Sequence, residues 1–234
     1  MANSSIYNAL YGGGGKMMKN GGSKKILELT KLIYSKKEFL LLVFANLIVQ
    51  LGITYYVMLK TDGTKINILA LFIAQIFIIY ILIIVPIPSF LKFILFSFFS
   101  YIFGLVLSSL KKKYNEKMIQ IALQGTISIF ALMFALGVTL LISGINLGYK
   151  FGLFLFWALL ILIILRLVFV LGAGLTAFNK FLSFFGLILF AVYIVFDTNK
   201  ILQRNYFGDF ITASLDYYLD ILNLFENTLG SIDN

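Results

Sequence analysis

The sequence predicts an all-α membrane protein of seven transmembrane helices, and three observations predict it. Of 234 residues, 61% are hydrophobic and only 12% charged, against roughly 25% charged in a soluble domain. The apolar residues lie in long runs of Ile, Leu, Phe and Val, each near the roughly 20 residues that a helix needs to cross hydrocarbon. The breaks between runs are short, and each has a physical cause.

Residues 1–38 read as a cytosolic tail. It holds Gly12 to Gly15, Gly21, Gly22 and seven lysines between Lys16 and Lys37, opposed only by Glu28 and Glu38. The glycine-rich part reads as disordered, and the stretch from Lys24 to Lys37 as a short helix on the membrane surface. Charged residues continue up to the first full-length span, so no secretory signal pattern is expected. Spans are expected at 39–59, 68–87, 90–110, 118–143, 147–171, 181–202 and 211–229, with a short tail at 230–234. The polar turn Lys60-Thr-Asp-Gly63 closes the first span. Pro86 and Pro88 interrupt helical hydrogen bonding after the second. Lys111, Lys112 and Lys113 cannot sit in hydrocarbon, and Gly144 with Gly148 loosens the fourth junction. The lysine-rich tail favours a cytosolic amino terminus, although Lys111 to Lys113 and Lys117 then fall on the far side, against the usual bias.

The absences restrict the chemistry. There is no Cys and no His, which excludes disulfides, thiolate nucleophiles, a Ser–His–Asp triad and the commonest metal ligand. A response to pH near neutrality therefore falls to carboxyl groups. The net charge of +9 would suggest nucleic acid in a soluble protein. Here it sits in the tail and short loops, where cations mark topology and lipid headgroups, so no nucleic-acid partner is expected. Gly12 to Lys16 is not a phosphate loop, because Met17 stands where Ser or Thr is needed.

The seventh span carries the information. Asp216, Asp220, Asn223 and Asn227 are spaced four, three and four apart and fall within about 60° of one another on a helix. An Asp at mid-helix costs about 2.5–3.5 kcal/mol on insertion scales, so this helix must be enclosed by protein or line a hydrated cavity. The sixth span presents Gly186, Phe190, Tyr193, Asp197 and Arg204 along one face, with Lys200 beside them, and Gly186 permits close helix approach. After the chain turns back, Asp197 and Asp220 reach comparable depths and can meet. Two carboxyls in a poorly solvated site cannot both ionise easily and titrate as a unit. Carboxylate oxygens also suit a hard cation such as calcium. The plainer alternative is a structural ion pair of Asp197 with Lys200 or Arg204. Arg166, in the fifth span, either snorkels to the interface or serves as a buried partner for an acid such as Glu226.

The segments Tyr193-Ile-Val-Phe-Asp197-Thr-Asn-Lys200 and Tyr217-Tyr-Leu-Asp220-Ile-Leu-Asn-Leu-Phe225 resemble the Bax inhibitor-1 family, the transmembrane Bax inhibitor motif proteins. Weaker support comes from Phe99 to Gly104-Leu105 and from Gln124-Gly125-Thr126. The resemblance implies seven helices with the last one central and wrapped by the other six. It implies a pH-sensitive calcium leak whose sensor and cation site map onto Asp197 and Asp220, with no required cofactor. Asp216 lies outside the family's minimal pattern. It further implies a role in suppressing cell death, with membrane proteins of cell-death control as partners, in an intracellular membrane (endoplasmic reticulum or Golgi) if the source is eukaryotic or viral. The chain departs from the family at the junction of spans two and three. A basic run there often supplies an Arg that latches onto the aspartates, whereas this chain has Pro86-Ile-Pro88-Ser89, and its nearest cation is Lys92. Lys200, Arg204 and Arg166 are the other candidate counter-charges.

Two alternatives differ in kind. One is a non-conducting regulator that binds other membrane proteins. The other is an intramembrane aspartyl protease, which also needs two acids on adjacent spans. Its Gly-x-Gly-Asp signature is absent at Asp220, so the sequence is read as non-enzymatic.

Overall fold

The computed structural model describes residues 34–62, 67–171 and 176–232, together with residues 27 and 31. Most of the lysine-rich tail, including most of the expected surface helix at 24–37, lies outside the described residues. Within them the chain forms seven α-helices: α1 Lys37–Lys60, α2 Ile68–Ile84, α3 Ser89–Ser108, α4 Glu116–Ile142, α5 Tyr149–Leu171, α6 Thr176–Gln203 and α7 Phe210–Ile232. Five helices are long and apolar enough to cross a membrane. The exceptions are α2, which has 17 residues and so measures about 26 Å, and α7, which carries Asp216, Asp220 and Glu226. This is a multi-pass integral membrane protein.

Local chemistry sets the ends. The second helix stops at Ile84, three residues short of the expected end. Val85, φ −87° and ψ 125°, already has the extended conformation forced on a residue before proline. Pro88 then caps α3. At the end of α4, Gly144 adopts φ 80°, its N–H donates to the Leu141 carbonyl, and the Ile145 N–H donates to the Leu140 carbonyl. This glycine-terminated stop needs a left-handed residue, which glycine adopts without a Cβ penalty. The fifth helix starts at Tyr149 rather than 147 because Asn199 holds the preceding loop. Its amide oxygen accepts the Leu147 N–H at 2.9 Å and its amide nitrogen donates to the Ile145 carbonyl at 3.1 Å. The last helix continues to Ile232, past the expected end at 229, with Gly230 packed on Ser183.

Burial is concentrated in α7, which packs against α6, α1, α4 and α3. Both of its faces are covered. Opposite the polar stripe, Tyr218 is enclosed by Phe96, Phe99 and Phe103, and its hydroxyl hydrogen-bonds to Thr54 Oγ1 at 2.5 Å. Tyr217 packs on Phe44, Phe130 and Phe134. By contrast, Ile73, Ile76, Phe77 and Tyr80 of α2 and Phe154, Trp157 and Ile161 of α5 are exposed, as expected of helices that face lipid.

The start of α7 is fixed electrostatically. Asp209 is its N-cap: Oδ1 accepts from the Thr212 N–H at 3.0 Å, and Oδ2 accepts from Lys92 Nζ at 2.5 Å and Thr212 Oγ1 at 2.7 Å. Partial burial alone would push the Asp209 carboxyl up, but the Lys92 and Thr212 hydrogen bonds outweigh it and hold it below the usual carboxylate range. A depressed pKa contributes stability that is present above the unfolded value, about 3.9, and is lost as pH falls through the folded one. The Lys92–Asp209 tie is therefore constant from pH 6 to 8. Asp209→Ala is expected to lower unfolding stability by about 1 kcal/mol, measured in detergent at pH 7, with the difference shrinking only below about pH 4. A wild-type advantage that instead faded between pH 8 and 6 would contradict this cap.

Candidate functional site

The connection between α6 and α7, residues 204–209, folds the two helices back against each other. Asp197 lies six residues before the end of α6 and Asp216 six residues after the start of α7, so both sit about 9 Å inside their helix ends. Asp220 lies one turn deeper. Asp197 and Asp220 are 6% and 5% exposed, and each carboxyl is a charge neighbour of the other. Asp220 Oδ2 is buried without a partner among the described residues.

Lys200 completes the cluster. One helical turn beyond Asp197, its Nζ lies 3.1 Å from Asp197 Oδ1 and 2.6 Å from Asp216 Oδ2. Asp216, unassigned by motif, thus shares the ammonium with Asp197. The Tyr206 hydroxyl donates to the same Asp216 oxygen at 3.1 Å. Burial and the neighbouring Asp216 charge keep this phenol protonated well above its usual range, so it serves as a fixed donor. Of the candidate counter-charges, only Lys200 reaches the aspartates. Lys92 is committed to Asp209 and Thr212 at the start of α7. Arg204 lies exposed beyond the end of α6, because the helix stops before its side chain can turn inward.

Arg166 sits at the other end of the stripe. Its guanidinium donates to Asn227 Oδ1 at 2.6 Å, while its Nε is buried without a partner among the described residues. Glu226 is close enough for a charge interaction, yet the hydrogen bond goes to the neighbouring amide. Asn227 in turn fits where α6 has no side chain: a Cβ on Gly186 would overlap Asn227 Oδ1. Asn223 and Asn227 donate their amide N–H groups to carbonyls of their own helix, Leu219 and Asn223, at 2.7 Å.

Sequence reasoning passes over several residues. Lys36 Nζ donates to the Ile201 carbonyl at 3.2 Å and to the Arg204 carbonyl, and so places a cation on the C-terminal carbonyls of α6. Burial pulls this ammonium below its ordinary value. Thr198 accepts the Tyr217 hydroxyl at 3.0 Å. A second polar network joins α1, α3 and α7. Asn46 donates to Ser214 Oγ at 2.5 Å, Gln50 to Asn46 Oδ1 and Ser97 Oγ at 3.2 Å, and Ser100 to Gln50 Oε1 at 2.9 Å. Its signal is present in the sequence: Asn46, Gln50 and Thr54 recur every four residues on one face of α1.

These features define a multi-pass helical membrane protein whose last helix carries buried carboxyls paired with the preceding span. A family model described as inhibitor of apoptosis-promoting Bax1 matches residues 36–231, and the chain belongs to this Bax inhibitor-1 family. Relatives from Arabidopsis thaliana include Protein LIFEGUARD 1, 37% identical over 83 residues covering 36% of this chain and 35% of the relative. Protein LIFEGUARD 3 is 38% identical over 85 residues, 33% of each chain. The matched stretch spans about a third of the length of these curated relatives.

Proposed function

We propose that this protein is a pH-sensitive calcium leak of a cellular membrane and that it suppresses cell death, as its family's description suggests. The observation that carries the reading is the buried Asp197–Asp220 pair held against Lys200 and Asp216. In this reading all seven helices span the bilayer, with α2 accommodated by local thinning, and the other six wrap α7. The amino terminus is cytosolic and the membrane an intracellular one.

With the aspartates ionised, Lys200 is held between α6 and α7 and takes the part of the family's arginine latch. Protonation of the pair removes the Asp197 charge from Lys200 and leaves the ammonium to Asp216 of α7 alone, so α6 shifts against α7 and admits cations along the stripe. Calcium is cargo in this scheme, and no resident cofactor and no enzymatic step are invoked. Tight retention of calcium asks for six to eight oxygens. Asp197 and Asp220 together offer four carboxylate oxygens, fewer than that, so the reading is one of transit and not of storage.

The test is calcium influx into liposomes holding the purified protein and a calcium dye, from pH 6 to 8. Influx that rises as pH falls supports the leak. Silence from folded protein at every pH would sink it and favour a regulator acting by binding other membrane proteins.

A further inference from the structure

A polar cavity lies beside the aspartate cluster, at the end of the bundle shared by the α4–α5 loop and the end of α6. It has a volume of about 250 Å³ and is lined by Asn146, Gly148, Tyr149, Lys200, Gln203 and Arg204, with Leu147 and Phe196 as its apolar edge. We propose that this cavity binds a phosphate-bearing anion that also carries hydroxyl groups, the chemistry of an anionic phospholipid headgroup.

Four observations converge on that ligand. The Lys200 ammonium has three N–H donors; Asp197 and Asp216 take two of them, which leaves one for the cavity. The Arg204 guanidinium, whose fork geometry matches phosphate oxygens, stands at the same wall with no ion-pair partner among the described residues. The cavity also lies over the first turn of α5, a 23-residue helix whose first two amides, of Tyr149 and Lys150, lack acceptors within the helix, while those of Phe151 and Gly152 donate to the Gly148 carbonyl. A Cβ on Gly148 would meet nothing within 4 Å, so the approach to those amides is open. Gln203 supplies the specificity. It is 9% exposed, its amide nitrogen is committed to Asn199, and its Oε1 is buried without a partner among the described residues. That oxygen accepts a donor, as a headgroup hydroxyl would provide. The walls are rigid before any ligand arrives, because Asn199 ties the loop carbonyl of Ile145 and the Leu147 N–H to α6.

Purified full-length protein in an uncharged detergent is titrated with phosphatidylglycerol, phosphatidylcholine and free glycerol phosphate. Bound species are counted by native mass spectrometry and thermal stability is measured in parallel. Phosphatidylglycerol is expected to bind at least tenfold more tightly than phosphatidylcholine and to raise the melting temperature. Arg204→Gln should weaken it about tenfold, while Lys37→Gln, at an exposed cation on the same end but outside the lining, should leave it unchanged. Glycerol phosphate binding as tightly as the lipid would assign the site to a free phosphate ester; its failure to bind would assign it to lipid. Equal binding of both lipids, or equal losses in the two variants, would reduce the interaction to diffuse surface charge and overturn the proposal. The readout is independent of calcium flux.

Discussion

The Asp197→Asn, Asp220→Asn double variant is expected to leak calcium at one rate from pH 6 to 8, close to the wild-type rate at pH 6. An amide has the shape of a protonated carboxyl and cannot ionise, so the substitution fixes the pair in its neutral form. The wild type should change several-fold over the same window, as a coupled pair that gains or loses a proton there would. The single variants separate the two positions. Asp197→Asn removes one of the two carboxylates that hold Lys200, whereas Asp220→Asn supplies an N–H beside Asp197 and leaves both Lys200 contacts in place. The loss of pH dependence should therefore be larger for Asp197→Asn. Asp209→Asn is the control: its carboxylate is already ionised throughout the window and lies in the loop, so pH dependence should persist. A double variant that kept the wild-type pH profile would remove the aspartates from the gating mechanism, whatever the protein conducts.

Much of this site is legible in the sequence because membrane insertion makes polarity expensive. A helix with Asp216, Asp220 and Asn227 on one face has to be buried, and α7 is. The glycine at 186 predicts a close helix contact, and Asn227 fills it. What escapes is the pairing. Spacing places Lys200 and Arg204 on nearly the same side of α6, and nothing local says that the helix ends at Gln203 and leaves Arg204 outside. Asp216 has no motif to announce it, since its role depends on the depth at which α6 and α7 align. Lys92 stands in the sequence as a nearby cation for the pair. Its partner is instead Asp209, because the loop brings the start of α7 to the start of α3. Helix ends depart from expectation where tertiary hydrogen bonds set them: the Asn199 clamp delays α5, and no local signal in 143–149 encodes that clamp.

Gly186→Ala is expected to be the most destabilising small substitution in the α6–α7 contact, by about 3 kcal/mol. The new Cβ would overlap Asn227 Oδ1 and lie 2.6 Å from its Cγ, so the amide must leave its position. Overpacking of this kind costs about 1–3 kcal/mol. The displaced amide also releases the Arg166 guanidinium, and a hydrogen bond to a charged group is worth about 1.5–3 kcal/mol. Asn227→Ala alone should forfeit only the second of these contributions. The two residues occupy one volume, so their effects should not add. Once Asn227→Ala has removed the amide, the methyl at 186 has room, and the Gly186→Ala, Asn227→Ala double variant should be no less stable than Asn227→Ala by more than about 0.5 kcal/mol. Unfolding in mixed micelles of a mild detergent and dodecyl sulfate reads all four proteins on one scale. Additive losses would mean that Gly186 is needed for helix approach in general rather than to seat Asn227. Arg166 would then be held by something other than this amide, leaving the far end of the stripe uncoupled from the packing of α6.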